Sequence, residues 1–196
     1  MRTEHSSCRT ISMPIIFKAL VILTLSFSIL SLTACSNSPR RTTGTVLNDQ
    51  ALEREVTKRI RNHPRFSEDD HIKVEVHQGV VLLAGETVSE ENSVLASQLA
   101  GESRLTERVV NDLKIGERAG FGGKLDNGWL TSKVNSILIT ENPLSGNDAS
   151  RIKVISSQNT VYLMGMVSHE EGEAVAEVVR NIRGVEKVVK IFDYTD

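Results

Sequence analysis

The apolar positions of the chain change period three times in each half, and the two halves change in the same order. Leu52, Val56 and Ile60 recur at i, i+4 and i+8, one buried helical face, and Leu130, Val134 and Leu138 repeat it. Pro64 and Pro143 stop these helices. An alternating segment follows, HIKVEVH, with Ile72, Val74 and Val76 on one face and His71, Lys73, Glu75 and His77 on the other. Gln78-Gly79 and Gln158-Asn159 predict tight turns into a second strand, so a hairpin. Ser89 and Ser168, each followed by acidic residues, open a second helix. RVVNDLKI and VEKVVKIFDY then read as a third strand. The fold class is α+β: each copy has the order αββαβ, with two helices covering one face of a small mixed three-stranded sheet.

The correspondence is an internal repeat. Ile72-Lys73-Val74 returns as Ile152-Lys153-Val154, Gln78 to Gly85 as Gln158 to Gly165, and Glu90-Glu91 as Glu170-Glu171, all at one offset. Module 1 spans 49–117, a Gly-rich linker 118–125, and module 2 126–196.

What precedes the modules has another pattern. Arg2, Arg9 and Lys18 lead into the apolar run ALVILTLSFSILSLTA, the layout of a secretory signal over residues 1–34. Met13 serves equally well as the start. The signal ends in Leu32-Thr33-Ala34-Cys35, which resembles the lipobox of bacterial lipoproteins. The resemblance implies a diacylglyceryl group and an N-acyl chain on Cys35, enough acyl length for stable anchoring. Ser36, in place of aspartate, implies outer-membrane sorting. The Ser-, Thr- and Pro-rich stretch up to Asn48 reads as a flexible tether, giving a segment 35–48. Cys8 lies in the leader, so no thiol remains for a disulfide, a metal or a nucleophile. Loss of the leader takes the net charge from −2 to −4, which argues against nucleic-acid binding.

The chemistry-bearing residues point away from catalysis. His71 and His77 are six residues apart on one strand, about 20 Å at ~3.3 Å per residue, too far for one metal ion. They read as solvated strand histidines. Ser168-His169-Glu170 is contiguous at a helix start, whereas hydrolase triads assemble from separate segments around an oxyanion site. Gly120-Phe121-Gly122-Gly123 lacks the Lys-Ser/Thr of a phosphate cradle and reads as a hinge. No cofactor or metal is expected, and no enzyme.

The motif V-x-L-x-G-x-V at Val161 to Val167, with Gly184-Val185-x-x-Val188 after an alanine-bearing helix, resembles the BON domain. Lipobox plus two such repeats is similar to the dual BON-domain outer-membrane lipoproteins. Copy one departs from it at Leu105-Thr106, with one extra residue nearby, and at Thr87. The resemblance implies a periplasm-facing, lipid-anchored protein of the outer membrane. It also implies that module 2 binds anionic phospholipid, that the protein helps keep the membrane intact, and that it is enriched at division sites.

A surface comparison of the copies locates the candidate site. With Trp129 at 0° and about 100° per residue, the core stripe of its helix lies near 80–180°. The opposite face is Trp129, Ser132, Lys133, Ser136, Ile139 and Thr140, with one base and no acid. Copy one has Ala51, Arg54, Glu55, Lys58, Arg61 and Asn62 there, an ordinary charged surface. Trp suits a membrane interface, being apolar with one polar N–H. The expected partners of Trp129, Ser132, Lys133, Ser136 and Ile139 are phosphatidylglycerol and cardiolipin. The alternative is an adaptor in which this face docks an outer-membrane assembly protein or a periplasmic protease. A monomer is expected. Trp129 folded back on the interdomain loop, or packed against module 1, is the competing structural reading.

Overall fold

Leu52, Val56 and Ile60 lie on the buried side of the first helix, α1, Thr43–Asn62. The structure is a computed structural model; it describes residues 42–116, 121–144 and 151–196, with backbone only for 121–127. The signal, the lipobox and Cys35 lie outside the described residues. After α1 come β1 (His71–His77), β2 (Val80–Thr87), α2 (Glu90–Gly101) and β3 (Arg108–Ile115). Module 2 repeats them as α3 (Phe121–Glu141), β4 (Ile152–Ser157), β5 (Thr160–Val167), α4 (His169–Arg180) and β6 (Lys187–Tyr194). Each sheet is mixed: β2 pairs antiparallel with β1 and parallel with β3, and β5 likewise with β4 and β6.

The hairpin turns follow the local chemistry. Gln78, Gly79, Gln158 and Asn159 all have positive φ, the primed two-residue turn that matches strand twist. In module 1 the buried Asp49 carboxylate accepts from the N–H of Gln78 at 2.8 Å and of Gly79 at 3.0 Å. The glycine of the V-x-L-x-G motif is steric. A Cβ on Gly85 would lie 2.1 Å from the His71 carbonyl oxygen, and one on Gly165 2.6 Å from that of Arg151.

Two helix starts differ from the sequence expectation. α1 begins at Thr43, inside the stretch read as tether, because Thr42 caps it: its side chain accepts from the Thr45 N–H at 3.1 Å. α3 begins at Phe121, inside the expected linker. Each residue added to an existing helix gains one backbone hydrogen bond, which offsets the ~1 kcal/mol cost of a glycine.

The repeat register is also sharper than one offset. Ser89 caps α2 and Ser168 caps α4, 79 residues apart rather than 80. The extra residue of copy one is therefore Val88, at the β2–α2 junction rather than beside Leu105. Glu90-Glu91 does not superpose on Glu170-Glu171: Asn92 stands where Glu171 does. Both are buried, with different partners. Asn92 donates its amide to Asp70, at 3.2 Å to Oδ1, whereas Glu171 receives two bonds from the Arg151 guanidinium at 3.1 and 2.6 Å. Glu171 also closes a capping box with Ser168.

The core has three parts. Within each module the helices cover one sheet face, around Leu52, Val56, Val81 and Leu83 in module 1 and Leu130, Val134, Val161 and Leu163 in module 2. The third part joins the modules. Val80, Leu82 and Ala84 of β2 meet Ile155, Tyr162, Met164 and Ile191 of the other sheet. The order of layers is helices, sheet, sheet, helices. Polar pairs rim this interface. The Tyr162 hydroxyl donates to Asp112 at 2.7 Å, Lys187 reaches Asp112 at 3.1 Å, and Lys153 reaches Glu75 at 2.6 Å.

This packing corrects the reading of His77 as solvated. Its strand face, expected to meet water, is the one the second sheet covers, and His77 is buried. His71 is exposed, as expected.

Candidate functional site

Trp129 stands two turns into α3 on the side away from Leu130, Val134 and Leu138, all three buried. It is 57% exposed and Ile139 is 69% exposed. The reading in which module 1 covers the indole is excluded, since the modules meet through their sheets and α3 lies in an outer layer. About 15 Å of helix axis separates Trp129 from Ile139 at ~1.5 Å per residue, so they are two apolar contacts rather than one patch.

The indole is held in place by its neighbours. Lys133, one turn on, places Nζ 4.7 Å from the ring centroid, within cation–π range. The same ammonium donates to the Arg183 carbonyl at 2.7 Å. Gly184 follows, at φ +104, and a Cβ there would sit 3.6 Å from Cζ3 of Trp129 and 3.8 Å from Cδ1 of Leu130. The Gly-Val turn of the motif thus supplies a left-handed residue beside the ring. Leu105, in the equivalent turn of module 1, is 41% exposed and faces no tryptophan.

Ser132 and Ser136 are exposed on the same face but do not offer free donors. The Ser132 hydroxyl donates to the Gly128 carbonyl at 3.0 Å, Ser136 to Ser132 at 2.9 Å, and Thr140 to Ser136 at 2.9 Å. Hydroxyls turned back onto the helix leave a smooth, uncharged ridge between the two apolar side chains. Lys133, half-buried, is the one ionised group of the face, and it retains donors beyond the one given to Arg183. Beside it a shallow groove opens between α3 and α4, floored by Ile137, Val178 and Ile182.

The other motifs resolve structurally. Ser168 is an N-cap, its side chain accepting from the Glu171 N–H at 3.2 Å. His169 stacks on Tyr194 at 3.8 Å, and its Nδ1 lies 2.7 Å from Asp196. Hydrogen bonding to His169 holds the Asp196 carboxyl below its ordinary value. No cluster of three or more His, Cys, Asp or Glu able to hold a metal occurs among the described residues. Also among them, no helix is long and apolar enough to cross a membrane. The turn 183–185, which seats Trp129 and binds Lys133, was not foreseen as part of the site. Its signal was the Gly184-Val185 pair, present in module 2 and replaced in module 1.

Two repeated αββαβ modules, each with a close-approach glycine in its middle strand, define the class. The model of the BON domain matches residues 48–117 and 126–196, and the chain belongs to this family. Among its relatives, the 21 kDa hemolysin of Actinobacillus pleuropneumoniae is 32% identical over 79% of this chain and 78% of its own. The outer membrane lipoprotein DolP of Haemophilus influenzae is 30% identical over 80% of this chain and 79% of its own. Among solved structures, the C-terminal domain of CdsD, a structural protein of the type III secretion system of Chlamydia trachomatis, aligns at a TM-score of 0.31 with 9% identity. That alignment covers 74% of this chain and 98% of the domain. The overlap is too loose to bear on function.

Proposed function

We propose that this protein is a lipid-anchored, periplasm-facing lipoprotein of the outer membrane, without enzymatic activity, that binds anionic phospholipid through the exposed face of α3. The observation that carries the reading is the contrast between sister helices. Module 2 exposes Trp129 and Ile139 where module 1 has Ala51 and Arg61, and module packing leaves both uncovered. An exposed indole gains by entering the headgroup region, where its ring leaves water and its N–H keeps a partner. Lys133 beside it adds an attraction of roughly 1 kcal/mol toward an anionic surface. The leader with its Leu-Thr-Ala-Cys end and the relative named outer membrane lipoprotein DolP support the location.

Attachment is then at two points, with acyl chains on Cys35 and a weaker contact from α3. The anchor keeps the protein at the membrane, so even a weak contact is populated whenever α3 is turned toward the bilayer. The protein collects where phosphatidylglycerol and cardiolipin are abundant, division sites included, and helps keep the membrane intact there. Trp129→Glu in the unacylated chain reduces co-sedimentation with phosphatidylglycerol vesicles about tenfold or more; unchanged binding contradicts the lipid role of α3. Cys35→Ala abolishes incorporation of labelled palmitate, and continued labelling contradicts the anchor.

A further inference from the structure

Helix α1 carries a second surface that this reading leaves unused. Its core side is Asp49, Leu52, Val56 and Ile60. At about 100° per residue, Leu47, Arg54, Lys58 and Arg61 fall within about 60° of one another, directly opposite that core. All four are exposed, Leu47 to 61%. Arg54 reaches only Gln50 of its own helix, at 3.3 Å, and Lys58 and Arg61 have no carboxylate partner among the described residues. The acids flanking this ridge are engaged elsewhere. Glu53 meets Lys153 at 3.3 Å, Glu55 meets Arg59 at 2.6 Å, and Asp49 holds the hairpin turn. An acidic chain therefore presents, along one helix, three unneutralised bases and one exposed leucine.

We propose that this ridge is a second docking surface for an anionic lipid bilayer, and the one that the anchor favours. That preference rests on acylation of Cys35. Eight residue steps separate Cys35 from Thr43, at most ~27 Å at ~3.4 Å per step, so the N-terminal end of α1 stays close to the bilayer. Leu47 lies at that end. Four layers of about 10 Å each put the α1 axis about 35 Å from the outer surface of α3. A molecule lying flat on α3 would overstretch the tether, whereas one lying on α1 leaves it slack. The ridge and the Trp129 face point to opposite sides, so the two contacts alternate, and Trp129 reaches the same bilayer only when the stack tips onto its edge. Contact through the ridge is electrostatic and screened by salt; contact through Trp129 is mainly apolar.

The test uses the unacylated chain from Ser36, whose residues from Ser38 onward form one compact unit. Binding is measured to vesicles of equal parts phosphatidylglycerol and phosphatidylcholine at about 50 and about 300 mM NaCl, where the Debye length falls from ~14 to ~6 Å. Trp129→Glu is expected to keep a fraction bound that disappears at the higher salt. Adding Arg54→Glu, Lys58→Glu and Arg61→Glu is expected to lower that residual affinity about a hundredfold, at roughly fivefold per lost base. An unchanged thermal transition shows that this variant is folded. Loss of all binding in Trp129→Glu alone would overturn the ridge and leave α3 standing. Residual binding indifferent to the three reversals, or equal on pure phosphatidylcholine, would also overturn it. Binding that survives Trp129→Glu in full but is abolished by the reversals alone supports the ridge and contradicts the α3 site.

Discussion

Asp70 shows how much one loop residue can organise. Its carboxylate accepts from the Thr87 hydroxyl at 2.5 Å, the Val88 N–H at 3.1 Å and the Ser67 N–H at 2.9 Å, besides the Asn92 amide. Burial pushes its pKa up, but these bonds outweigh it and hold the group below 3.8. The folded state therefore binds a proton less readily than the unfolded chain. The stability Asp70 contributes is present above its unfolded pKa and is lost as pH falls through the depressed folded one. Asp70→Asn is expected to cost about 1–3 kcal/mol at neutral pH and to flatten the acid limb on the acidic side of the ordinary carboxylate pKa, measured by denaturant titration at several pH values. None of this was legible in the sequence, because Asp70, Thr87 and Asn92 come from three segments and carry no spacing signal. Trp129 and Ile139 were legible for the opposite reason: the repeat provides a sister helix in which both positions are read without the special residue.

At the scale of elements, strands and helices follow from periodicity, and their starts do not. Thr42 and the Gly-rich stretch before Trp129 have loop composition, yet a cap in one case and propagation from a packed helix in the other carry the helices through them. The same limit hid Val88, since an offset measured over the hairpin cannot reveal one residue inserted after it. The two modules also anchor their second helix differently. In module 2 Arg151 and Glu171 pair with side chains only 5% and 10% exposed. Breaking such a pair leaves one buried charge uncompensated, so Arg151→Met is expected to destabilise the protein by about 3–5 kcal/mol. Arg151→Met with Glu171→Leu is expected to recover most of that loss, as read by thermal unfolding; additive losses would mean that the two side chains are not coupled and that each supports module 2 through its other contacts.

At the scale of the molecule, the two modules are held sheet to sheet by an apolar centre with a polar rim. The central strands contain this information: VVLLAG and VYLMG are apolar on both faces, the pattern of a strand covered from both sides. Read only for alternation, β1 suggests a wet face, which misplaced His77. The arrangement turns the helices of module 1 and of module 2 outward on opposite sides, and so leaves the α3 face free for a partner. Burial of the tyrosine at the rim, with the Asp112 carboxylate beside it, raises the Tyr162 phenol well above its ordinary pKa, so that contact remains a neutral donor bonded to a carboxylate at any physiological pH. The central claim is that the free face of α3 meets anionic lipid, and the single tryptophan reports on it directly. Emission from Trp129 is measured as phosphatidylglycerol vesicles are added to the unacylated chain. The account predicts a blue shift and a gain in intensity that phosphatidylcholine vesicles do not produce. An emission maximum that stays at its value in buffer while the protein co-sediments with the vesicles would contradict it.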